Sequence, residues 1–278
     1  MVIGYDTPRP TKEIYERFLE ELVKGLEPLG QEGLSLMIYG AYLAKQIDVG
    51  RSDIDVGMIF PHDVVIDKGF MARAALAVDH ALVAGSVGGS KFPMRELFQV
   101  SPLDIGICRD GRFNSYTDEF QAYFDLESEV IVGPDYRGEM QYTHTKTGDQ
   151  ASMSHNLRKI RQALLFSAFD RVHDYAQVIK GFNSSLSAAS RGSKQILCVI
   201  DGKVRPYRFA GLGELPNVFP DLDYAALSLI KDLFKNPEKL DQLYRKPDEL
   251  MVVWNRSVDF FESVIREYIR AYPREIST

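Results

Sequence analysis

Two aspartates separated by one residue are the side chains best suited to chemistry. Asp53 and Asp55 lie in residues 52–60 (SDIDVGMIF), a run that is otherwise largely apolar and predicts a β-strand. Because side chains alternate along a strand, both carboxylates are expected on one face. Adjacent carboxylates repel each other unless a cation lies between them. Their oxygen ligands favour a hard divalent cation, above all Mg²⁺ carrying phosphates.

A glycine precedes these aspartates at a distance that suits the same site. The apolar run 36–39 (LMIY) ends at Gly40, and helix-compatible chain then leads to Asp53. This order predicts strand, tight turn, short helix, turn and strand. Gly40 allows backbone to approach a bulky ligand, and a helix that begins there presents free N–H groups to an anion. The pattern therefore predicts a phosphate-binding turn beside a metal site.

From about residue 34 to residue 108, the chain resembles the nucleotidyltransferase superfamily of DNA polymerase beta. That superfamily has an apolar strand, Gly-Ser, a short spacer, Asp-x-Asp, and a third acidic residue on a later strand. The resemblance implies that Gly40, Ala41 and Ser52 contact the nucleotide. Ala41 stands where the superfamily usually has a serine whose hydroxyl contacts phosphate. The backbone N–H groups, which carry much of the phosphate binding, are retained.

Asp104 is the candidate for the third acidic position. It lies in the extended apolar stretch 96–108, which Pro102 interrupts. Because an unpaired buried carboxylate is costly, Asp104 is either a ligand of the same metal or an edge-strand residue that faces water. The resemblance implies the first interpretation. Asp53 and Asp55 would then bind the metal that bridges the phosphates, and Asp104 would bind a second metal near the attacking oxygen. Asp104 is also a candidate base for the acceptor proton, with Asp174 as the alternative.

The 278 residues suffice for two modest domains, which we expect at residues 1–140 and 151–278. We predict an α/β (α+β) nucleotidyltransferase domain with a small mixed sheet, followed by an all-α helical bundle. Patterning predicts helices over 11–29 and 70–83, a strand over 125–134, and a polar linker over 136–150. Beyond the linker it predicts a loop over 206–220 and helices over 153–182, 185–200, 223–234, 237–244 and 247–272.

This wider layout resembles the aminoglycoside nucleotidyltransferases, notably the kanamycin enzyme. In that group, a long helix of the second domain supplies a carboxylate base for the acceptor hydroxyl, and a lysine further along approaches phosphate. The resemblance implies these roles for Asp174 and Lys180. Asp170, one turn earlier, is a rival for the base. The alternative for Asp174 is an ordinary exposed helix carboxylate.

Charge is distributed unevenly along the chain. Residues 1–150 carry 14 Lys and Arg against 24 Asp and Glu, and residues 151–278 carry 19 against 15. A dedicated nucleic-acid-binding protein would usually be basic overall. Five cations cluster in the second half and form either a solvated face or a phosphate contact. They are Arg191, Lys194, Lys203, Arg205 and Arg208.

Other features of the sequence predict a cytoplasmic protein. It has no uncharged apolar run of about 18 residues, which a membrane span would need. Its N-terminus lacks the basic start and apolar core of a secretory signal. Cys108 and Cys198 lie far apart in apolar runs, which favours buried free thiols in a reducing compartment over a disulfide.

Together these patterns predict a Mg²⁺-dependent nucleotidyltransferase. It would move a nucleoside monophosphate, with ATP the expected donor, onto an acceptor hydroxyl and release pyrophosphate. The acceptor is expected between the domains, and an acidic first domain suits a cationic acceptor such as an aminoglycoside. One alternative is transfer to tRNA or protein, as in toxin-type relatives. Another is a nucleotide-binding module without catalysis, to which Ala41 points.

Overall fold

The computed structural model describes residues 11–40, 42–43, 53–62, 67–85, 94–110, 124, 128–141, 146–205 and 207–273. These residues divide into two compact units. The first unit comprises the described residues up to 141, and the second comprises those from 146 onward.

The described part of the first unit contains a small mixed sheet, as predicted. Its strands are β1 (Ser35–Tyr39), β2 (Ile54–Phe60), β3 (Phe98–Asp104) and β4 (Ser128–Val132). The spatial order is β3-β2-β1-β4. Strand β1 runs antiparallel to β2 and β4, whereas β2 and β3 are parallel. The accompanying helices are α1 (Lys12–Gln31), α2 (Lys68–Gly85), α3 (Met94–Leu97), α4 (Ile105–Asp110) and a 3-10 turn (Arg137–Glu139).

Helices α1 and α2 bring aromatic side chains to one face of this sheet. The rings of Phe18 and Phe98 meet edge to face with their centroids 5.0 Å apart. Phe60 and Phe70 make a similar contact at 5.9 Å. Edge-to-face pairs of this kind add to the free energy gained by burying the rings themselves. The face that contains Phe60 and Phe98 is therefore committed to packing.

The predicted extended stretch 96–108 is correct only for its central part. Residues 98–104 form β3, whereas residues 94–97 and 105–110 are short helices. Pro102 lies within β3 and pairs with Met58. Because proline lacks an N–H group, strands accept it mainly at the edge of a sheet, and β3 is an edge strand.

The described part of the second unit is all helical, as predicted. Its helices are α5 (Lys146–His173), α6 (Tyr175–Asp201), α7 (Ala210–Val218), α8 (Ala225–Lys235), α9 (Pro237–Tyr244) and α10 (Pro247–Ala271). Helix α6 lies at the centre, where Gly181 allows the fully buried Trp254 of α10 to approach. The indole N–H of Trp254 donates a 2.7 Å hydrogen bond to Ser185 Oγ.

Two helix boundaries in this unit differ from the prediction. The helix expected over 153–182 ends at His173, and a new one begins at Tyr175, with the intervening Asp174 as its N-cap residue. The expected loop 206–220 contains α7. Its glycines and proline suggested turns, but Gly211 serves a close helix contact: a Cβ there would lie 2.6 Å from Ser193. Leu215 of α7 is fully buried, so packing stabilises the helix.

Cys108 is buried and Cys198 is half-buried, and both are free thiols. Burial raises the pKa of the Cys108 thiol to about 11. Within the described ranges, no helix combines the length and apolar character that crossing a membrane requires.

Candidate functional site

The glycine turn and the second aspartate meet at one end of the sheet. Gly40 follows β1 with a φ of +79°, a left-handed conformation that favours glycine. Strand pairing sets Tyr39 opposite Asp55. A Cβ on Gly40 would lie 3.1 Å from Oδ2 of Asp55. The Asp55 carboxylate therefore lies close against Gly40, where a side chain would crowd it.

Asp55 is unusual within its strand. Its neighbours Ile54 and Val56 are fully buried, as is Phe60 at the far end of β2. Asp55 alone in β2 is half-buried rather than buried. Since β2 is an interior strand, most of its side chains are apolar, and a partly exposed carboxylate there is a candidate for a functional role.

Asp53 lies just before β2 and is also half-buried. Asp53 and Asp55 are two positions apart, with Ile54 between them, so alternation along the strand assigns both side chains to the same face of the sheet. The predicted pairing of these two carboxylates thus agrees with the direction of the strand. Ile54, between them, belongs to the buried face opposite.

Polar residues on neighbouring strands lie level with Asp55. Gln99 of β3 pairs with Asp55, and Ser128 of β4 pairs with Tyr39. Directly paired residues share a face, so these side chains form one row across the sheet. Arg137 donates hydrogen bonds of 2.9 and 3.3 Å to the carbonyl oxygen and Oγ of Ser128. Sequence reasoning missed this row because only strand register reveals it.

Arg137 does not bring an unpaired positive charge to that row. Its guanidinium makes three contacts of 2.6–3.1 Å with the Asp135 carboxylate. These hydrogen bonds lower the pKa of Asp135. Arg137 therefore orders the chain that follows β4 and is largely neutralised there.

The structure corrects the grouping of Asp104 with Asp53 and Asp55. In the parallel pairing of β2 and β3, Asp55 lies level with Gln99, whereas Asp104 lies level with Phe60. Five residues of strand separate these levels, about 16 Å at roughly 3.3 Å per residue. Asp104 also shares the alternation of Phe60, which is the face opposite to that of Asp55. Distance and direction both prevent a shared metal site.

Asp104 instead lies beside His62 in a partly buried environment. Oδ1 of Asp104 and Nδ1 of His62 are buried and find no hydrogen-bond partner among the described residues. Burial raises the pKa of Asp104, and the nearby charge of His62 opposes this rise. Of the two alternatives for Asp104, a metal shared with Asp53 and Asp55 does not match this position. Asp104 does lie on an edge strand and is partly exposed, but one of its carboxylate oxygens is buried.

The remaining predicted site residues fall in two groups. Ala41 and Ser52 lie outside the described residues. Asp174 is exposed in the break between α5 and α6, and Lys180 is exposed on α6. Asp170, the rival for the base, is half-buried near the end of α5. The structure therefore gives the positions of Asp170, Asp174 and Lys180 but no contact that assigns any of them a role in binding.

The five cations of the second half do not act as one exposed patch. Lys194 is buried. Arg205 is held by Asp201 and Glu214 at 2.6 Å each, and its hydrogen bonds lower the pKa of Asp201 to about 2. Arg208 lies over the ring of Phe234, 5.0 Å from its centroid. The solvated-face interpretation therefore holds only for Arg191 and Lys203, which are exposed.

The donor set at Gly40 fits one magnesium ion with its phosphates. Mg²⁺ is commonly held by one or two carboxylates together with substrate phosphates. Asp53 and Asp55 would supply the carboxylates, and Gly40 adds no side chain beside Asp55. No group of three or more His, Cys, Asp or Glu residues suited to a metal occurs in the part of the chain that the structure describes. The two-metal arrangement predicted with Asp104 thus lacks its third carboxylate.

Comparison with known proteins gives no independent assignment, since no protein-family model and no curated protein matches this chain.

Proposed function

We propose that the first unit binds a Mg²⁺–nucleoside triphosphate beside Gly40 and transfers its nucleoside monophosphate to an acceptor hydroxyl. One observation carries this proposal: the left-handed turn at Gly40 lies directly against the half-buried carboxylate of Asp55, where it adds no side chain. A half-buried carboxylate is an unusual side chain for an interior strand, whereas a metal-bound triphosphate needs its charge.

Asp53 and Asp55 would hold the metal from one face of the sheet, and the turn at Gly40 would admit the phosphates. When bound, Mg²⁺ supplies positive charge that offsets the charge of the triphosphate. In the transfer, the acceptor oxygen bonds to the α-phosphorus, the bond to pyrophosphate breaks, and the acceptor hydroxyl loses its proton. We propose Asp174 as the base that takes this proton and Lys180 as a residue that contacts phosphate. Both roles rest only on the resemblance to the aminoglycoside nucleotidyltransferases.

For the substrates, we propose ATP as the donor and a cationic, aminoglycoside-like small molecule as the acceptor. The excess of acidic residues in residues 1–150 supports a cationic acceptor, since opposite charge raises its local concentration. Transfer to tRNA receives less support, because Lys194 is buried and Arg205 is neutralised by two carboxylates.

A second candidate is nucleotide binding without transfer. The separation of Asp104 from Asp55 favours it, because one metal with two carboxylates suffices to bind a triphosphate but lacks the second ion of a two-metal reaction. The two candidates share the Gly40 site. They differ only in whether the nucleoside monophosphate is transferred to an acceptor.

The test measures binding and transfer separately. Isothermal titration with a non-hydrolysable ATP analogue is expected to show binding with Mg²⁺ and none with EDTA. Asp55→Asn should weaken binding at least about tenfold, the equivalent of 1.4 kcal/mol. Asp79→Asn, which changes an exposed carboxylate on α2, is the matched control and should not alter binding.

Asp104→Asn tests the correction to the site. Unchanged Mg²⁺-dependent binding is expected, whereas a loss equal to that of Asp55→Asn would restore the three-aspartate site. Transfer is followed with α-labelled ATP and a panel of acceptors. Binding without transfer would support the second candidate, nucleotide binding without catalysis. The absence of any metal-dependent binding would overturn both candidates.

A further inference from the structure

Gln99 is the residue of β3 that lies directly beside Asp55. Neighbouring strands are about 4.8 Å apart, and paired residues of two parallel strands point to the same side of the sheet. Gln99 is exposed and lies near the start of an edge strand. Its carboxamide forms no hydrogen bond with any part of the chain that the structure describes. A ligand held by Asp55 is therefore within reach of a polar side chain that has no other partner there.

The neighbour of Asp55 on the other side, in β1, is committed to packing. Tyr39 pairs with Asp55 and is buried, and its ring meets that of Phe124 edge to face at 5.2 Å. Ser128 lies one strand further away, and its hydroxyl donates a hydrogen bond to the carbonyl oxygen of Phe124. Within the described sheet, Gln99 is thus the neighbouring side chain best placed to share a ligand with Asp55.

Further along the strands, the same face of the sheet is filled by apolar side chains. Gly57 lies two residues after Asp55, and a Cβ there would lie 3.1 Å from Cε of Met37. Leu103 of β3 is buried in the same apolar cluster as Met37. Asp55 and Gln99 therefore lie at the margin of this packed region, on the side from which a ligand can approach.

The chemical type of this neighbour affects how many cations the site can hold. A carboxylate level with Asp55 would complete the three anionic side chains that the two-metal arrangement needs, whereas Gln99 is neutral. Its NH₂ group donates two hydrogen bonds and its oxygen accepts. Hydrogen bonds from N–H groups to ionised oxygens, such as those of phosphate, are stronger than those between neutral groups.

We propose that Gln99 donates a hydrogen bond to a phosphate of the triphosphate that Asp53 and Asp55 hold through Mg²⁺, and that its neutral side chain limits the site to one divalent ion. This inference rests on the proposed function and adds a third side chain to the Gly40 site. It also gives β3 a role that Asp104, five residues further along the same strand, does not fill.

The first test uses Mn²⁺ alone, as a spectroscopic substitute for Mg²⁺, and needs no nucleotide. Gln99→Glu places a third carboxylate beside Asp55 and should bind Mn²⁺ at least about tenfold more tightly than the unmodified chain, because affinity rises with the number of charged ligands. Val100→Glu is the matched control. Val100 is 38% exposed and pairs with the buried Val56, so this variant adds the same charge to the opposite face. Electron paramagnetic resonance of free Mn²⁺ should show no gain for it.

The second test measures the phosphate contact by isothermal titration with Mg²⁺ and a non-hydrolysable ATP analogue. Gln99→Ala should weaken binding of the analogue about fivefold or more, because a hydrogen bond to a charged oxygen is lost. Its Mn²⁺ binding without nucleotide should equal that of the unmodified chain, since Asp53 and Asp55 are retained. Val100→Ala is the control for this substitution and should leave both measurements unchanged. Circular dichroism checks that each variant is folded.

Either of two results would overturn the inference while leaving the proposed function intact. One is equal Mn²⁺ affinity of Gln99→Glu and Val100→Glu, and the other is an affinity for the analogue that Gln99→Ala does not change. Failure of the proposed function looks different: the unmodified chain would bind no analogue, and the phosphate contact would fall with it. A gain of Mn²⁺ binding by Gln99→Glu would in that case still place residue 99 beside the carboxylates.

Discussion

At the scale of single residues, nucleotide binding would depend on the absence of a side chain at Gly40. Gly40→Ala is expected to act in two ways. The left-handed φ of +79° costs an alanine roughly 1–2 kcal/mol, and its Cβ would meet Asp55 Oδ2 at 3.1 Å. The variant should lose that much free energy of unfolding in urea titrations. It should also bind the Mg²⁺–ATP analogue at least about tenfold more weakly, a change of 1.4 kcal/mol.

Gly202→Ala separates these two effects. Gly202 caps α6 with a φ of +71°, but a Cβ there would meet nothing within 4 Å. The backbone strain is therefore similar, while the nucleotide site is untouched. Equal loss of stability in both variants with binding reduced only by Gly40→Ala is the expected result. Equal binding by the two variants would mean that the space beside Asp55 is not used by the ligand.

Asp104 predicts a pH dependence of stability that is unusual for a carboxylate. Burial raises its pKa in the folded chain, so the folded state holds this proton more tightly than the unfolded state does. Its contribution to stability is present below the unfolded pKa of about 3.9. The contribution is lost as pH rises through the higher folded value. Asp104→Asn should therefore have a higher Tm than the unmodified chain at pH 7, and this gain should shrink toward pH 4.

The exposed Asp79→Asn serves as the reference in the same melts, since its carboxylate has no buried oxygen to desolvate. A gain that is constant between pH 4 and pH 7 would show that the variant acts through packing rather than through the charge of Asp104.

At the scale of secondary structure, the sequence predicts elements well and their relative register poorly. The strand around Asp55 and the turn at Gly40 follow from local patterns, namely apolar runs and a single glycine. The position of Asp104 does not, because it depends on how far β3 slides along β2. A parallel pair has no short turn to fix its register, and a shift of one residue reverses the faces. For the same reason, the sequence does not predict that Gln99 and Ser128 lie in one row with Asp55.

Glycine misled the prediction of α7 for a related reason. A glycine that lets two helices approach and a glycine that makes a turn look the same in a single sequence. Gly211 and Gly192 are of the first kind: their absent side chains make room for Ser193 and Phe261. Only the packing partner, which lies far away along the chain, distinguishes the two roles.

Gly192 therefore provides a sensitive test of helix packing in the second unit. A Cβ at Gly192 of α6 would lie 1.9 Å from Cε2 of Phe261, so Gly192→Ala should push α10 away. Overpacking of this kind typically costs about 1–3 kcal/mol. This exceeds the roughly 0.5–1 kcal/mol that alanine gains over glycine in a helix. The free energy of unfolding, measured in urea by Trp254 fluorescence, should fall.

Gly213→Ala in α7 is the paired control, because a Cβ there would meet nothing within 4 Å. In Gly213→Ala only the higher helix propensity of alanine changes the free energy of unfolding, so this variant should be neutral or slightly stabilised. Equal effects of the two substitutions would contradict the close packing of α6 on Phe261.

At the scale of the whole molecule, the distribution of charge distinguishes a small cationic acceptor from tRNA. The chain has a net charge of −6, and its first 150 residues contain ten more acidic than basic residues. In the second half, the buried Lys194 and the paired Arg205 remove charge from the basic cluster, which leaves Arg191 and Lys203 exposed. Nucleic acid releases counterions in proportion to the phosphates that a protein neutralises. With only two exposed cations in this cluster, little release is expected from it.

We therefore expect tRNA to bind weakly and with a shallow dependence on salt. Two phosphate contacts would give a slope of log K against log salt of roughly −2, whereas a dedicated nucleic-acid site with 6–10 contacts loses about 10³–10⁵ in affinity between 50 and 200 mM salt. Filter binding over that range measures the slope, and Arg191→Gln with Lys203→Gln should abolish the remainder. A steep slope would instead favour tRNA as the acceptor, because the cations would have to come from surfaces that the cluster does not include. A shallow slope would favour a small cationic molecule as the acceptor, in agreement with the net negative charge of the chain.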